Sequence, residues 1–183
     1  MLNIYLVLMT TIHSAMLGAT IISKEERDKM VEFLFVKPVS SYKVVSSKLL
    51  AALVNSIMLA IITGISSYYL VKYSEGEFIG TIILQAMMGM FILQLLFLVI
   101  GSALAAVCKN SKLAVSLSTG ILLVAYIVSI AIDLNEKLAF MKYLTPFKYF
   151  EAKNIMFSEG FDIIFLLLSF VLIMLFSPVT YIL

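Results

Sequence analysis

The chain reads as an all-α membrane protein, a polytopic bundle of transmembrane helices in which no segment could stand as a soluble domain. Three observations predict this. Of its 183 residues, 62% are hydrophobic and 13% charged, where soluble domains carry about 45–50% apolar and about 25% charged residues. The mean hydropathy is +1.09. Stretches free of Asp, Glu, Lys and Arg run for about 20 residues or more, the length a helix needs to cross roughly 30 Å of hydrocarbon. They are too long for barrel strands of about 10 residues and lack the alternation of a barrel.

Five such stretches fall at about residues 3–22, 49–71, 79–107, 113–132 and 163–183, so residues 1–183 form a single transmembrane domain. The first lacks the basic leading region of a signal peptide, and its apolar run exceeds the usual 7–15 residues. The third is long enough to tilt or to extend beyond the hydrocarbon. Two longer connections remain, residues 24–48 and 133–162.

Charge in these connections sets orientation. Residues 24–48 and the turn holding Lys109 and Lys112 carry eight basic residues, against five Lys and seven acids on the other side. Lys and Arg concentrate in cytoplasmic loops, which places the Lys24–Lys48 loop in the cytoplasm and residues 133–162 outside a plasma-membrane protein. The first residue then lies outside as well. A net charge of +2 without a basic run gives no footing for nucleic acid. A lone Cys108 is read as a small packing residue.

The most informative segment is Ile22 to Leu50, ISKEERDKMVEFLFVKPVSSYKVVSSKLL. Ser23 with Glu26 three residues on has the pattern of a capping box, and acids cluster where a helix dipole favours them. Met30, Val31, Phe33, Leu34 and Phe35 form an apolar face too short to span. Pro38 disfavours helix at Lys37 and ends the segment, and Ser40 or Ser41 can cap a new helix leading into the second span. The segment is therefore expected to be a short, bent amphipathic helix. It either anchors the bundle at the interface or docks its apolar face into a soluble partner.

This segment resembles the cytoplasmic motif of the type-two permeases of ATP-binding-cassette exporters. There an acidic start is followed by a Thr-x-Glu-Phe-Leu-Leu-like stretch, Lys-Pro-Val-Ser-Arg, and a Lys opening the next helix. Glu25, Glu26, Glu32, Phe33, Leu34, Lys37, Pro38, Val39, Ser40 and Lys48 match. Met30 stands where Thr is usual and Ser41 where Arg is usual, so the charged contact of that Arg is not supplied. Leu144-Thr145-Pro146-Phe147-Lys148-Tyr149-Phe150 is similar to the Leu-Ser-Pro-Phe-Lys-Tyr-Phe before the family's last helix. The resemblance implies a permease subunit of an ATP-driven exporter, with the ten matching residues of the first motif coupling it to a separate ATPase subunit. It further implies a second permease chain, and, since the family has six spans, one further span ahead of this chain's first. On residues alone, a non-transporting membrane scaffold or assembly protein, or an inactive permease fragment, fits the same helices.

On the outer side, Thr145 can cap a helix with Pro146 in the favoured first position. Pro146, Phe147, Tyr149 and Phe150 then belong to a short interfacial helix, either an aromatic anchor or a gate over an exit path. The spans hold no Asp, Glu, Lys or Arg in their interiors, which argues against an ion- or proton-coupled carrier. The sole histidine, His13, is expected to be a helix-packing partner, and Gln85, Gln94 and Asn55 to join helices by hydrogen bonds. Gly101 and Ala105 form a small-xxx-small pair. There is no G-x-x-x-x-G-K-[ST] loop and no H-E-x-x-H or G-x-S-x-G motif. The chain thus offers no nucleotide, metal or cofactor site, and is read as a non-enzyme driven by a partner.

Overall fold

The computed structural model describes residues 2–27, 41–74, 80–108, 110–134, 145–148 and 163–181. Over them the chain is helical, without a strand. The helices are α1 (Leu2–Arg27), α2 (Ser41–Ser74), α3 (Gly80–Val107), α4 (Ser111–Leu134) and α5 (Ile163–Phe176), with 3₁₀ turns at Pro146–Lys148 and Pro178–Tyr181. Four of them are long and apolar enough to cross a membrane, over Tyr5–Ile22, Val45–Tyr69, Ile83–Val107 and Lys112–Leu134.

Three expectations about helix ends change. α1 runs unbroken through Arg27, so Ser23 lies inside it and opens no separate helix. Lys24 to Arg27 are good helix formers with no Gly or Pro among them to stop the first span. α2 is 34 residues long, about 51 Å at 1.5 Å per residue, and residues 49–71 are only its middle. The fifth segment is not one continuous α-helix. α5 stops at Phe176, Ser177 N–H still donates to the Ile173 carbonyl at 2.9 Å, and the 3₁₀ turn follows. Pro178 has no N–H to donate and crowds the preceding turn, which explains the change. Helix and turn together still rise about 29 Å, close to the hydrocarbon thickness.

Packing centres on α1 and α3, and α1 also touches α2 and α4. Small residues let two backbones meet. A Cβ built on Gly18 would lie 2.2 Å from the Leu98 carbonyl oxygen, and one on Gly101 would lie 2.4 Å from that of Ala15. Lipid tails are as apolar as the side chains, so close van der Waals contact of this kind holds membrane helices together. Ser118 Oγ adds a hydrogen bond to the Ala15 carbonyl at 3.4 Å. Around this crossing Ala15, Leu93, Leu96, Phe97, Leu122 and Phe147 form one buried cluster, and Ala19, Ile22, Ala105 and Ala114 a second.

The second cluster joins the end of α1 to the end of α3, so these two helices run parallel, with α2 and α4 returning. α5 descends along α3. Thr180 Oγ1 meets Ser102 Oγ at 3.1 Å in the interior, and the Tyr181 hydroxyl meets Ser46 Oγ at 3.3 Å. The outward faces are apolar, as for Leu50, Val54, Met58, Ile61 and Tyr69 along α2. His13 and Asn55 also face outward. Neither hydrogen-bonds to a described residue, so the expected role of each in packing this bundle is not seen. Gln94 is fully buried, as a helix-joining residue should be, yet its amide is unpaired.

Candidate coupling end and its counterpart

The second cluster brings four helix ends to one end of the bundle. Ile21 and Ile22 lie toward the end of α1, Leu49 near the start of α2, Cys108 follows α3, and Ala114 and Val115 lie near the start of α4. The α3–α4 turn is tight because Asn110 caps α4, its Oδ1 accepting from the Lys112 N–H at 3.1 Å, which satisfies one orphan donor of the first turn. In sequence, residues 28–40 connect α1 to α2.

The predicted coupling residues divide accordingly. Glu25 and Glu26 sit in the last turn of α1. Lys48 is half-buried in the second turn of α2, while Lys43 and Lys112 are exposed nearby. Glu32, Phe33, Leu34, Lys37, Pro38, Val39 and Ser40 lie outside the described residues. Mechanically, the segment's two attachment points are continuous helices, one of them locked backbone to backbone against α3.

The opposite end holds the Pro146 segment. Pro146 opens a helical turn as expected, but over the described residues this is a single 3₁₀ turn, closed by the Lys148 N–H donating to the Thr145 carbonyl at 3.0 Å. The Thr145 hydroxyl is buried without a partner, so it does not cap the turn. Pro146, Phe147 and Lys148 are buried, which differs from an anchor lying on a surface. Phe147 fits between Phe97 and Tyr126, with ring centroids 5.5 and 5.6 Å away. Tyr149 and Phe150 lie outside the described residues.

Sequence reasoning missed what holds this turn in place. Lys148 Nζ donates to Asp133 Oδ1 at the end of α4, with the Lys148 side chain 7% and the Asp133 side chain 46% exposed. The available signal was an acid at the very end of the fourth apolar stretch and a Lys directly after Pro-Phe. Among the described residues no group of His, Cys, Asp and Glu side chains could hold a metal ion.

Residues 1–152 match the family model of the ABC-2 type transporter. The chain belongs to the ABC-2 type transporter family. The match covers α1 to α4, the linking residues 28–40 and the buried Pro146–Lys148 turn, so it takes in both ends described above. No curated protein and no solved structure matches the chain. This ABC-2 type transporter chain is thus a membrane-embedded, permease-type component, and its bundle of long apolar helices is the architecture that role needs.

Proposed function

We propose that this ABC-2 type transporter chain is the permease subunit of an ATP-driven exporter in the plasma membrane. It lines the translocation path together with a second permease chain and takes its energy from a separate ATP-binding-cassette ATPase. The Lys24–Lys48 loop faces the cytoplasm and receives the ATPase, with the apolar face of Phe33 and Leu34 as the docking contact and Glu25, Glu26, Glu32, Lys37 and Lys48 around it. The observation that carries this reading is the attachment of residues 28–40 to two unbroken helices, α1 and α2, at one end of the bundle. ATPase closure would move that loop, and the states of the path would differ in their contacts with it, which is the condition for driving a conformational equilibrium.

Affinity isolation of the tagged chain in mild detergent tests this. The wild type should bring down a protein that binds ATP, and the Phe33→Asp/Leu34→Asp variant should lose most of it while still reaching the membrane. Recovery of no ATP-binding protein with the wild type, or equal recovery with both, would overturn the reading.

A further inference from the structure

Hydroxyls on these helices usually have a local partner. Thr10, Thr11, Thr20, Thr63, Ser66 and Thr119 each donate to a backbone carbonyl four residues earlier. Ser14 on α1 and Ser56 on α2 do not. Both side chains are 0% exposed, and their oxygens have no hydrogen-bond partner. Gln94 on α3 is also 0% exposed, with both amide atoms unpartnered.

These three residues share a level in the bundle. Their spans are Tyr5–Ile22, Val45–Tyr69 and Ile83–Val107, and each residue falls within about one position of its span's midpoint. The helix contacts agree. α1 and α3 touch at Gly18 and Gly101, and Gly64 of α2 lies beside Met87 of α3. At 1.5 Å per residue from those points, the three residues lie within about one helical turn, roughly 5 Å, in depth. α1, α2 and α3 pack mutually. At full burial neither lipid nor a second chain reaches these atoms, and orphaned polar groups in hydrocarbon are costly.

We propose that Ser14, Ser56 and Gln94 form a neutral hydrogen-bonding site at the α1–α2–α3 junction, at the bilayer midplane. Two hydroxyls and one carboxamide present donors and acceptors without charge. Such a set suits a water molecule or an uncharged hydroxyl or amide group, and it offers nothing to neutralise an ion. The guest is either an enclosed water or a polar group of the transported molecule. The second source rests on the permease reading, and the first does not.

The test is thermal unfolding of the intact chain in detergent, with Ser14→Ala, Ser56→Ala, Gln94→Met and the Ser14→Ala/Gln94→Met pair. A guest held by all three residues makes each single change lower the midpoint, by about 2–6 °C. It also makes the pair fall no further than Gln94→Met alone, since the side chains share the guest without bonding one another. A rise in midpoint, as expected when an orphaned polar group leaves a dry core, would overturn the proposal. So would fully additive losses. To separate the sources, Gln94→Cys is placed in a Cys108→Ser background and treated in membranes with a small polar thiosulfonate, Leu93→Cys serving as control. Labelling at 94 well above 93 assigns the site to a path that opens to water and its solutes. Equal inertness assigns the guest as an enclosed water. The thermal result stands whether or not an ATPase co-purifies, so the two readings fail separately.

Discussion

The backbone contact at Gly18 is the feature of the fold most open to a quantitative test. Replacing Gly18 by Ala puts a Cβ 2.2 Å from the Leu98 carbonyl oxygen, 3.0 Å from its carbon and 3.1 Å from Ser102 N. An ordinary C···O approach is about 3.3 Å, so α1 and α3 must part by about 1 Å. A gap of 0.5–1 Å forfeits about a quarter to a half of the dispersion attraction along the contact. Overpacking of this kind costs about 1–3 kcal/mol, against a helix-propensity gain for Ala over Gly of up to about 1 kcal/mol. The loss wins, and at about 2–4 °C per kcal/mol for a chain of this size the midpoint should fall by several degrees. Gly101→Ala, 2.4 Å from the Ala15 oxygen, should behave alike. Gly64→Ala meets only the Met87 side chain at 3.7 and 3.8 Å, and Gly120→Ala meets nothing within 4 Å, so both should be neutral or stabilising. The sequence contains no Trp and a single Cys. Half-buried, free Cys108 therefore makes a thiol-reactive fluorophore the natural unfolding probe. A Gly18→Ala midpoint indistinguishable from that of Gly120→Ala would refute the close α1–α3 packing.

Two further changes probe how the Pro146 turn and α5 are held. Asp133→Asn leaves the buried Lys148 ammonium without its carboxylate and should destabilise by about 1–3 kcal/mol, the half-exposed Asp133 keeping the figure below that of a fully buried pair. Lys148→Met with Asp133→Leu should recover most of that loss in the same thiol-based melt, because the buried ammonium is removed along with its carboxylate. Thr180→Val removes one side of the buried Ser102–Thr180 hydrogen bond and should lower stability by about 1 kcal/mol, with faster proteolysis at the α5 end, while Thr20→Val on α1 should leave that cleavage unchanged.

How far the sequence alone reaches depends on which physical signal each feature leaves in it. Burial in hydrocarbon demands long uncharged runs, so the four long apolar helices are legible in the runs at about residues 3–22, 49–71, 79–107 and 113–132. Helix ends were less so, since nothing local distinguishes Ser23 as a cap from Ser23 as one more helical residue once Lys24 to Arg27 continue without a breaker. Pro178 did leave a signal, a residue that cannot donate inside an apolar run. The fifth segment breaks there.

Pairings between distant segments leave almost no trace in one sequence, which is why the burial of the Pro146 turn is not legible there. Phe147 and Lys148 read as an interfacial aromatic and a loop charge because their partners, Phe97, Tyr126 and Asp133, come from two other helices. Those partners draw both residues into the interior. The buried Lys148 ammonium, 7% exposed, is offset by the Asp133 carboxylate, which lies half-exposed at the end of α4. The Pro146 turn is then a plug fastened by charge and aromatic contact to α3 and α4. Through the Gly18–Leu98 contact, α3 is in turn locked to α1, the helix that leads into residues 28–40. Glu25 and Glu26 at one end and the Pro146 turn at the other are thus connected through the packed contacts of α1, α3 and α4.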